Sequence, residues 1–351
     1  MNKILINFSL VGSILIGTIG FAGNEDRVGS AGAQQLLINP WARTTGTASA
    51  GFANATGLEA SYLNMGGLTT CDKTQIKFNM TNWLGNAEIK FFAAGLAQRL
   101  SESSVIAVSI QSMNFGDIQR TTVENPEGGI GFFSPRLNVF NVGYAKKFSN
   151  SISGGINFKV ISEAIADLKA TGMAVDAGIK YVTGDKEQFK LGISLKNVGP
   201  TMKYKGDGLA YQATYVETGS IASLEQRSQS FEMPSLLNIG ASYDFILNEM
   251  SKLTAIFGFT ANSFFSDQYR LAFDYALVKE KIALNIRLGY VYEKNIFSTE
   301  NRTNALIGPT AGFSLDFLTG KNKNPLGIEY GMRMAGPFGF VHTFGVAVGL
   351  K

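Results

Sequence analysis

Residues 171–198 read TGMAVDAGIKYVTGDKEQFKLGISLKNV. In the first arm Met173, Val175, Ala177, Ile179 and Tyr181 alternate with Ala174, Asp176, Gly178 and Lys180. In the second arm Phe189, Leu191, Ile193 and Leu195 alternate with Lys190, Gly192, Ser194 and Lys196. A polar turn, residues 183–187, joins them. A period of two gives the two faces of a strand different surroundings. One face here is almost wholly apolar; the other mixes small residues with charges. In a soluble sandwich the apolar face points into a core. In an outer-membrane barrel it points to lipid and the charges line the lumen.

The connections decide between the two. After residue 72 the pattern predicts fourteen strands: 74–81, 87–100, 104–115, 136–148, 152–162, 171–182, 188–198, 234–245, 252–261, 268–277, 281–292, 305–317, 326–333 and 342–351. Most are near the ~9–11 residues that a tilted strand needs to cross a bilayer. Alternate connections are short and polar, as at 101–103, 149–151, 183–187, 247–251, 279–280 and 319–324. The others vary in length: 82–86, 116–135, 163–170, 199–233, 262–267, 293–304 and 334–341. Short turns on one rim and longer loops on the other are the habit of outer-membrane barrels. An even strand count puts both chain ends on the short-turn rim, the periplasmic side. The fold class expected is all-β: a closed transmembrane antiparallel barrel of about fourteen strands.

Composition agrees. Charged residues make up 17% of the 351, below the roughly 25% of a soluble domain. The 40 glycines are too many for a helical protein and the apolar content too high for disorder. The formal charge of +4 is mild, and no basic run carries interleaved aromatics, so nucleic acid is not an expected partner. Residues 1–22 fit a secretory signal peptide, with Lys3 before an apolar stretch and Gly20 and Ala22 before the cleavage point; the alternative is a membrane anchor. No later segment has the ~18 uninterrupted apolar residues of a spanning helix. Residues 23–72 show no strand pattern and are expected to form a compact, plug-like segment inside or beneath a barrel of residues 73–351. The one cysteine, Cys71, reads as a small buried hydrophobe.

On the predicted lumen face stand Asp176, Lys180, Lys190, Lys196, Arg270, Asp274, Arg287, Glu329 and Arg333. Mixed signs favour an internal ion-pair ladder over a selectivity lining. Glycines on the same face, such as Gly178, Gly192 and Gly289, leave room inside. Aromatics near strand ends, among them Phe148, Tyr181, Tyr290, Tyr292 and Phe317, suit the girdles at the two interfaces.

Several stretches together resemble one family. Ala42, Arg43 and Gly46 open a Gly/Ala-rich stretch. LEASYLNMGGL at 58–68 carries Asn64, Gly67 and Leu68 of an "NPAGL" box, with Met65 and Gly66 in place of Pro and Ala. NFGDI at 114–118, FNVGYAKK at 140–147 with 153–160 after it, and LGISLKNV at 191–198 follow in order. The chain resembles the PorV/PorQ family of the Bacteroidota, within the larger FadL-like group of fourteen-stranded barrels. That resemblance implies an outer-membrane component of the type IX secretion system. Such barrels accompany the translocon barrel and carry secreted cargo proteins to a surface attachment complex. The FadL-like branch instead implies a carrier or channel for hydrophobic small molecules, with a hydrophobic ligand near the N-terminal segment.

No enzyme chemistry is expected. The single histidine, His342, does not make a metal site, and no Cys or carboxylate cluster has ligand spacing. A Ser–His pair built on His342 lacks a motif for its nucleophile. The glycine-rich 128–131 lacks the strand, helix and Lys of a phosphate cradle. No cofactor is implied. The expected functional surface is the long loop 199–233, where Tyr204, Tyr211, Tyr215 and Phe231 stand among polar residues. Its alternatives are partner contact and a loop folded inward. Residues 116–135 are the second candidate.

Overall fold

The structure is a computed structural model that describes residues 27–298, 302 and 304–351; the expected signal peptide, 1–22, lies outside them. Fourteen strands run up and down in chain order. They are β1 (Thr74–Trp83), β2 (Ile89–Arg99), β3 (Ser104–Asn114), β4 (Arg136–Lys147), β5 (Ile152–Ile165), β6 (Leu168–Thr183) and β7 (Phe189–Val198). Then come β8 (Leu236–Ile246), β9 (Ser251–Asn262), β10 (Gln268–Val278), β11 (Ile282–Glu293), β12 (Gly308–Thr319), β13 (Asn324–Met334) and β14 (Phe340–Leu350). Each pairs antiparallel with the next, and β14 closes on β1 from Thr74 opposite Leu350 to Asn82 opposite His342. Closure leaves no barrel edge unpaired, which hydrocarbon requires of any spanning sheet.

The faces are inverted relative to a soluble protein. Ile179, Ile193 and Leu288 are 58%, 53% and 60% exposed, while Lys180, Ser194 and Arg287 are buried. Ile179 sits opposite Ile193, and Ile193 opposite Ile239, so the apolar band continues from strand to strand. Aliphatic pairs of this kind stabilise neighbouring strands as well as meeting lipid. One rim has turns of three to five residues between strands. The other carries the long connections, 115–135, 199–235 and 294–307.

Two connections differ from the sequence expectation. The stretch 163–170 is strand, not loop: β5 and β6 run on to a two-residue turn at Ala166-Asp167, with Ala166 at φ 47°. Polar residues there looked like loop because the period-two apolar signal needs lipid on one side. Above the bilayer both faces are free to be polar. The ladder itself continues through Glu163 opposite Ala170 and Ile165 opposite Leu168. The long connection also has structure of its own. Met202–Lys203 pairs with Ser230–Phe231, and Ala210–Thr214 pairs with Ile221–Glu225 as a hairpin.

Residues 27–72 lie within the barrel as short helical turns, Gln34–Leu37, Ala42–Gly46, Gly57–Glu59, Ala60–Leu63 and Met65–Thr70. They hold the core. Trp41, Phe52, Leu58, Leu63, Met65 and Leu68 are fully buried. One apolar cluster joins these six to small inward residues of the wall, Ala93, Ala97, Ala107 and Ala145. The wall is thin where the segment touches it. A Cβ at Gly192 would stand 2.1 Å from the Phe52 carbonyl oxygen, and one at Gly331 would stand 2.3 Å from that of Ala42. Glycine is required there for space rather than for backbone freedom.

Candidate functional site: two lumen cavities and the long-loop rim

The N-terminal segment divides the lumen, and the two sides differ in charge chemistry. Toward the short-turn rim is a cavity of about 580 Å³, lined by Arg43, Glu59, Asp244, Asp274 and Arg287 among others. Its charges Arg43, Glu59, Asp244, Asp274 and Arg287 are paired, while Lys180 on the same lining makes no ion pair among the described residues. The helical turn Ala42–Gly46 aims Arg43 at the wall, with Nη2 2.5 Å from Asp316 Oδ1 and Nε 2.7 Å from Glu329 Oε1. Lys77 on β1 bridges Glu329 at 2.8 Å and also bonds Glu59 of the segment. Burial opposes the Arg43 charge, but Glu329, Asp316 and Glu59 outweigh it and raise its pKa above the ordinary value. Asp244 accepts from Lys190 at 2.7 Å, Lys252 at 2.9 Å and Thr254 at 2.8 Å. Arg287 meets Asp274 at 3.1 Å.

The wall is irregular at Asp176. Between β6 and β7 the register slips there, with Val175 opposite Val198 and Ala177 opposite Leu195. Asn197 takes a left-handed φ of 59° at this bulge, and its backbone N–H donates to Asp176 at 2.8 Å. Lys159 completes the knot, 2.6 Å from Asp176 and 2.7 Å from the Asn197 side-chain oxygen.

Toward the long-loop rim lies a second cavity, about 460 Å³. Leu37, Ile38, Trp83, Met113, Phe115 and Leu137 give it apolar walls. Among the described residues three cations line it, Lys196, Arg270 and Arg333, and no Asp or Glu does. Lys196 Nζ sits 3.4 Å from the centre of the Tyr62 ring. Arg270 donates to Ser49 O at 3.1 Å and Gln268 Oε1 at 2.6 Å. Arg333 faces the Trp83 ring at 5.7 Å. Burial pushes the Tyr62 phenol well above its usual pKa, with Arg333 and Arg270 acting against that rise.

The nine charges that the alternation singled out therefore divide. Asp176, Lys190, Asp274, Arg287 and Glu329 enter ion pairs, whereas Lys180, Lys196, Arg270 and Arg333 enter none among the described residues. Sequence reasoning missed several partners. Lys77, Lys159, Asp244 and Asp316 share the inward alternation of their strands and were open to the same period-two reading. Arg43 and Glu59 stand on short turns without a period and had no such signal.

The four loop aromatics also divide. Tyr204 and Phe231 sit at the root of the loop, ring centres 5.6 Å apart, packed on the cluster of Leu36, Met202 and Met233. The Tyr204 hydroxyl donates to Glu163 Oε2 at 2.5 Å, and Gln35 Nε2 donates to the other oxygen at 2.8 Å. Burial and this hydrogen bond raise the Tyr204 pKa. Tyr211 and Tyr215 are exposed at the hairpin, Tyr211 opposite Leu224. His342 Nδ1 lies 2.8 Å from the Tyr330 hydroxyl, so its near neighbour is a phenol rather than a serine. Cys71 is buried, and burial together with Asp72 pushes its thiol up to about 11 against the opposing pull of Arg99.

Comparison with known proteins bears on both barrel and segment. The family model of the type IX secretion system protein PorV matches residues 21–265. No curated protein matches the sequence. Among solved structures, the Pseudomonas putida toluene transporter TodX aligns with a TM-score of 0.55 at 11% identity, covering 89% of this chain and 97% of its own. A Pseudomonas aeruginosa FadL homologue aligns with a TM-score of 0.53 at 12% identity, covering 88% and 97%. At such identities the likeness is one of fold, a FadL-like outer-membrane barrel. The family match takes in the lumen segment, the strands from β1 to β9 and the long connection between β7 and β8, and on it the chain belongs to the PorV family of type IX secretion system proteins.

Proposed function

We propose that this barrel is the component of type IX secretion that docks on the translocon barrel and carries secreted proteins toward the surface attachment complex, with the hairpin of the long loop as its contact. The observation that carries the reading is the PorV match over residues 21–265, a stretch that includes this loop. The loop is built for contact. Its root is fixed by Tyr204, Phe231 and Glu163, while its outer hairpin exposes Tyr211, Tyr215, Val216, Ile221 and Leu224. Exposed aromatic and aliphatic side chains on an anchored β-hairpin suit a protein partner, since little ordering entropy remains to be lost on binding. In the same reading the short-turn rim, with Thr74 and Leu350 side by side, faces the periplasm. The residues ahead of Thr74 act as a plug whose leader, 1–22, is removed on export. Replacing residues 208–226 by a short Gly-Ser link is expected to abolish recovery of the translocon and cargo from native membranes, while the barrel still shows its heat-dependent gel shift. Full recovery with the shortened loop would refute the role of the hairpin.

A second reading, a carrier of hydrophobic small molecules, is favoured by the apolar walls of the 460 Å³ cavity. Cavities of ~300–1,000 Å³ with apolar walls and a few polar groups are the usual form of small-molecule sites. Flux of such a solute into liposomes holding the purified barrel tests it; flux no faster than through empty liposomes counts against it.

A further inference from the structure

Among the described residues the cations of the upper cavity make no ion pair. Lys196 is buried and its ammonium finds only the face of the Tyr62 ring. Arg270 Nε and Arg333 Nε are buried and meet no acceptor. Among the described residues no carboxylate stands within ion-pair distance of any of the three; the nearby Asp176 is taken by Lys159, and Glu163 by Gln35 and Tyr204. Gln268 and Asn304 hold Glu293, at 2.8 Å and 3.4 Å. Uncompensated charges in a largely apolar cavity carry a desolvation cost that a fold without further purpose would shed. The lower cavity of the same barrel shows the alternative, carboxylates beside its cations. Lys180 is an unpaired cation there too, but it stands in a cavity that carboxylates share, whereas the three upper cations stand in one that no described carboxylate lines.

We infer that the upper cavity is a binding site for an amphiphile with a phosphate-monoester head, the head held by Lys196, Arg270 and Arg333 and the tail against the apolar wall. Charge selects this head. A carboxylate brings one negative charge and leaves two of the cations uncompensated. A phosphate monoester brings about −1.5 to −2 at neutral pH and three acceptor oxygens. Arginine pairs well with such oxygens because its planar fork donates two parallel hydrogen bonds. The apolar walls, Leu37, Ile38 and Leu137 among them, require a tail rather than a free ion. The site shares its cavity with the carrier reading but not its transport step, so binding without flux supports this inference and sinks that reading.

Calorimetric titration of the full barrel in a neutral maltoside detergent tests it, with dodecyl phosphate, dodecanoate, dodecanol and inorganic phosphate as the four probes. Dodecyl phosphate is expected to bind one to one and ~tenfold or more tighter than dodecanoate, as an extra charge-assisted hydrogen bond would give. Inorganic phosphate and dodecanol should bind far more weakly, since each has only one half of the ligand. Arg333→Gln and Lys196→Gln should each weaken dodecyl phosphate by ~tenfold. Lys180→Gln, in the lower cavity, should leave it unchanged. The ranking on the native chain stands even where a variant fails to fold. Dodecanoate equal to or tighter than dodecyl phosphate, inorganic phosphate equal to the amphiphile, or folded Arg333→Gln and Lys196→Gln barrels with native affinity would each overturn the assignment.

Discussion

Below the N-terminal segment the lumen carries a network of paired charges, Lys180 apart; above it the described cations make no ion pair. The two regions share a wall, the same strands and the same alternation of residues. What separates them is what the segment contributes. It brings Arg43 and Glu59 to the lower half, where they join Lys77, Asp316 and Glu329. To the upper half it brings Tyr62 and Phe52, whose rings meet Lys196 at 3.4 Å and Arg270 at 5.4 Å. A ring face offers a cation only part of what a carboxylate does. The lower half therefore acts as a fastening between segment and wall, and the upper half keeps its positive charge in reserve.

Substitutions that bear on this contrast should differ in sign as well as size. The largest loss is expected for Glu329→Gln, which removes the buried carboxylate that Lys77 and Arg43 share and leaves them only Glu59 and Asp316. Breaking such a network costs ~3–5 kcal/mol, read as a lowered urea midpoint of the barrel in micelles. A native midpoint would mean that the fastening is not there. Next comes Gly192→Ala. Its methyl collides with the Phe52 carbonyl, and overpacking of this kind costs ~1–3 kcal/mol. Proteolysis near residue 52 should quicken while the barrel strands stay resistant. In the upper half the sign reverses. Lys196→Met removes a buried charge that has no ion-pair partner among the described residues and sets an apolar end against the Tyr62 ring, so a gain of about 1 kcal/mol is expected. A loss comparable with that of Glu329→Gln would erase the distinction between the halves.

Two smaller effects sharpen the picture at its margins. Tyr204→Phe removes the hydrogen bond to Glu163 and should cost ~1 kcal/mol, seen as faster amide exchange in residues 200–206. Cys71 should resist maleimide at pH 8 in the folded barrel. Its thiol is pushed up to about 11, so the reactive thiolate forms only as pH rises through that range. Rapid labelling at pH 8 without unfolding would place the thiol in solvent.

How much of this was legible beforehand varies by region. The hairpin at 171–198 is a direct case: its period of two survives intact as exposed Ile179 and Ile193 against buried Lys180 and Ser194. The stretch 163–170 is the opposite case. Its backbone ladder continues, but above the bilayer the polarity contrast that reveals a strand is gone. Loop 199–233 reads as one irregular surface, yet its aromatics do two jobs. Tyr204 and Phe231 bind the loop to the wall, and Tyr211 and Tyr215 face outward. Residue type does not distinguish an anchor from a contact; only the neighbour does.

The sequence by itself determined the barrel, its fourteen strands and, in five of them, the inward side. Alternation is a property of the strand alone, and lipid on one side reads it out without any reference to distant residues. Which charges pair was decided only by the tertiary structure. Lys77 and Glu329 are 252 positions apart in the chain and 2.8 Å apart in the fold. They meet because closing the ring places β13 two strands from β1, across β14, and because the segment carries Glu59 and Arg43 to the same point. Partnership of that kind belongs to the geometry of the closed ring and its contents, and no local pattern encodes it.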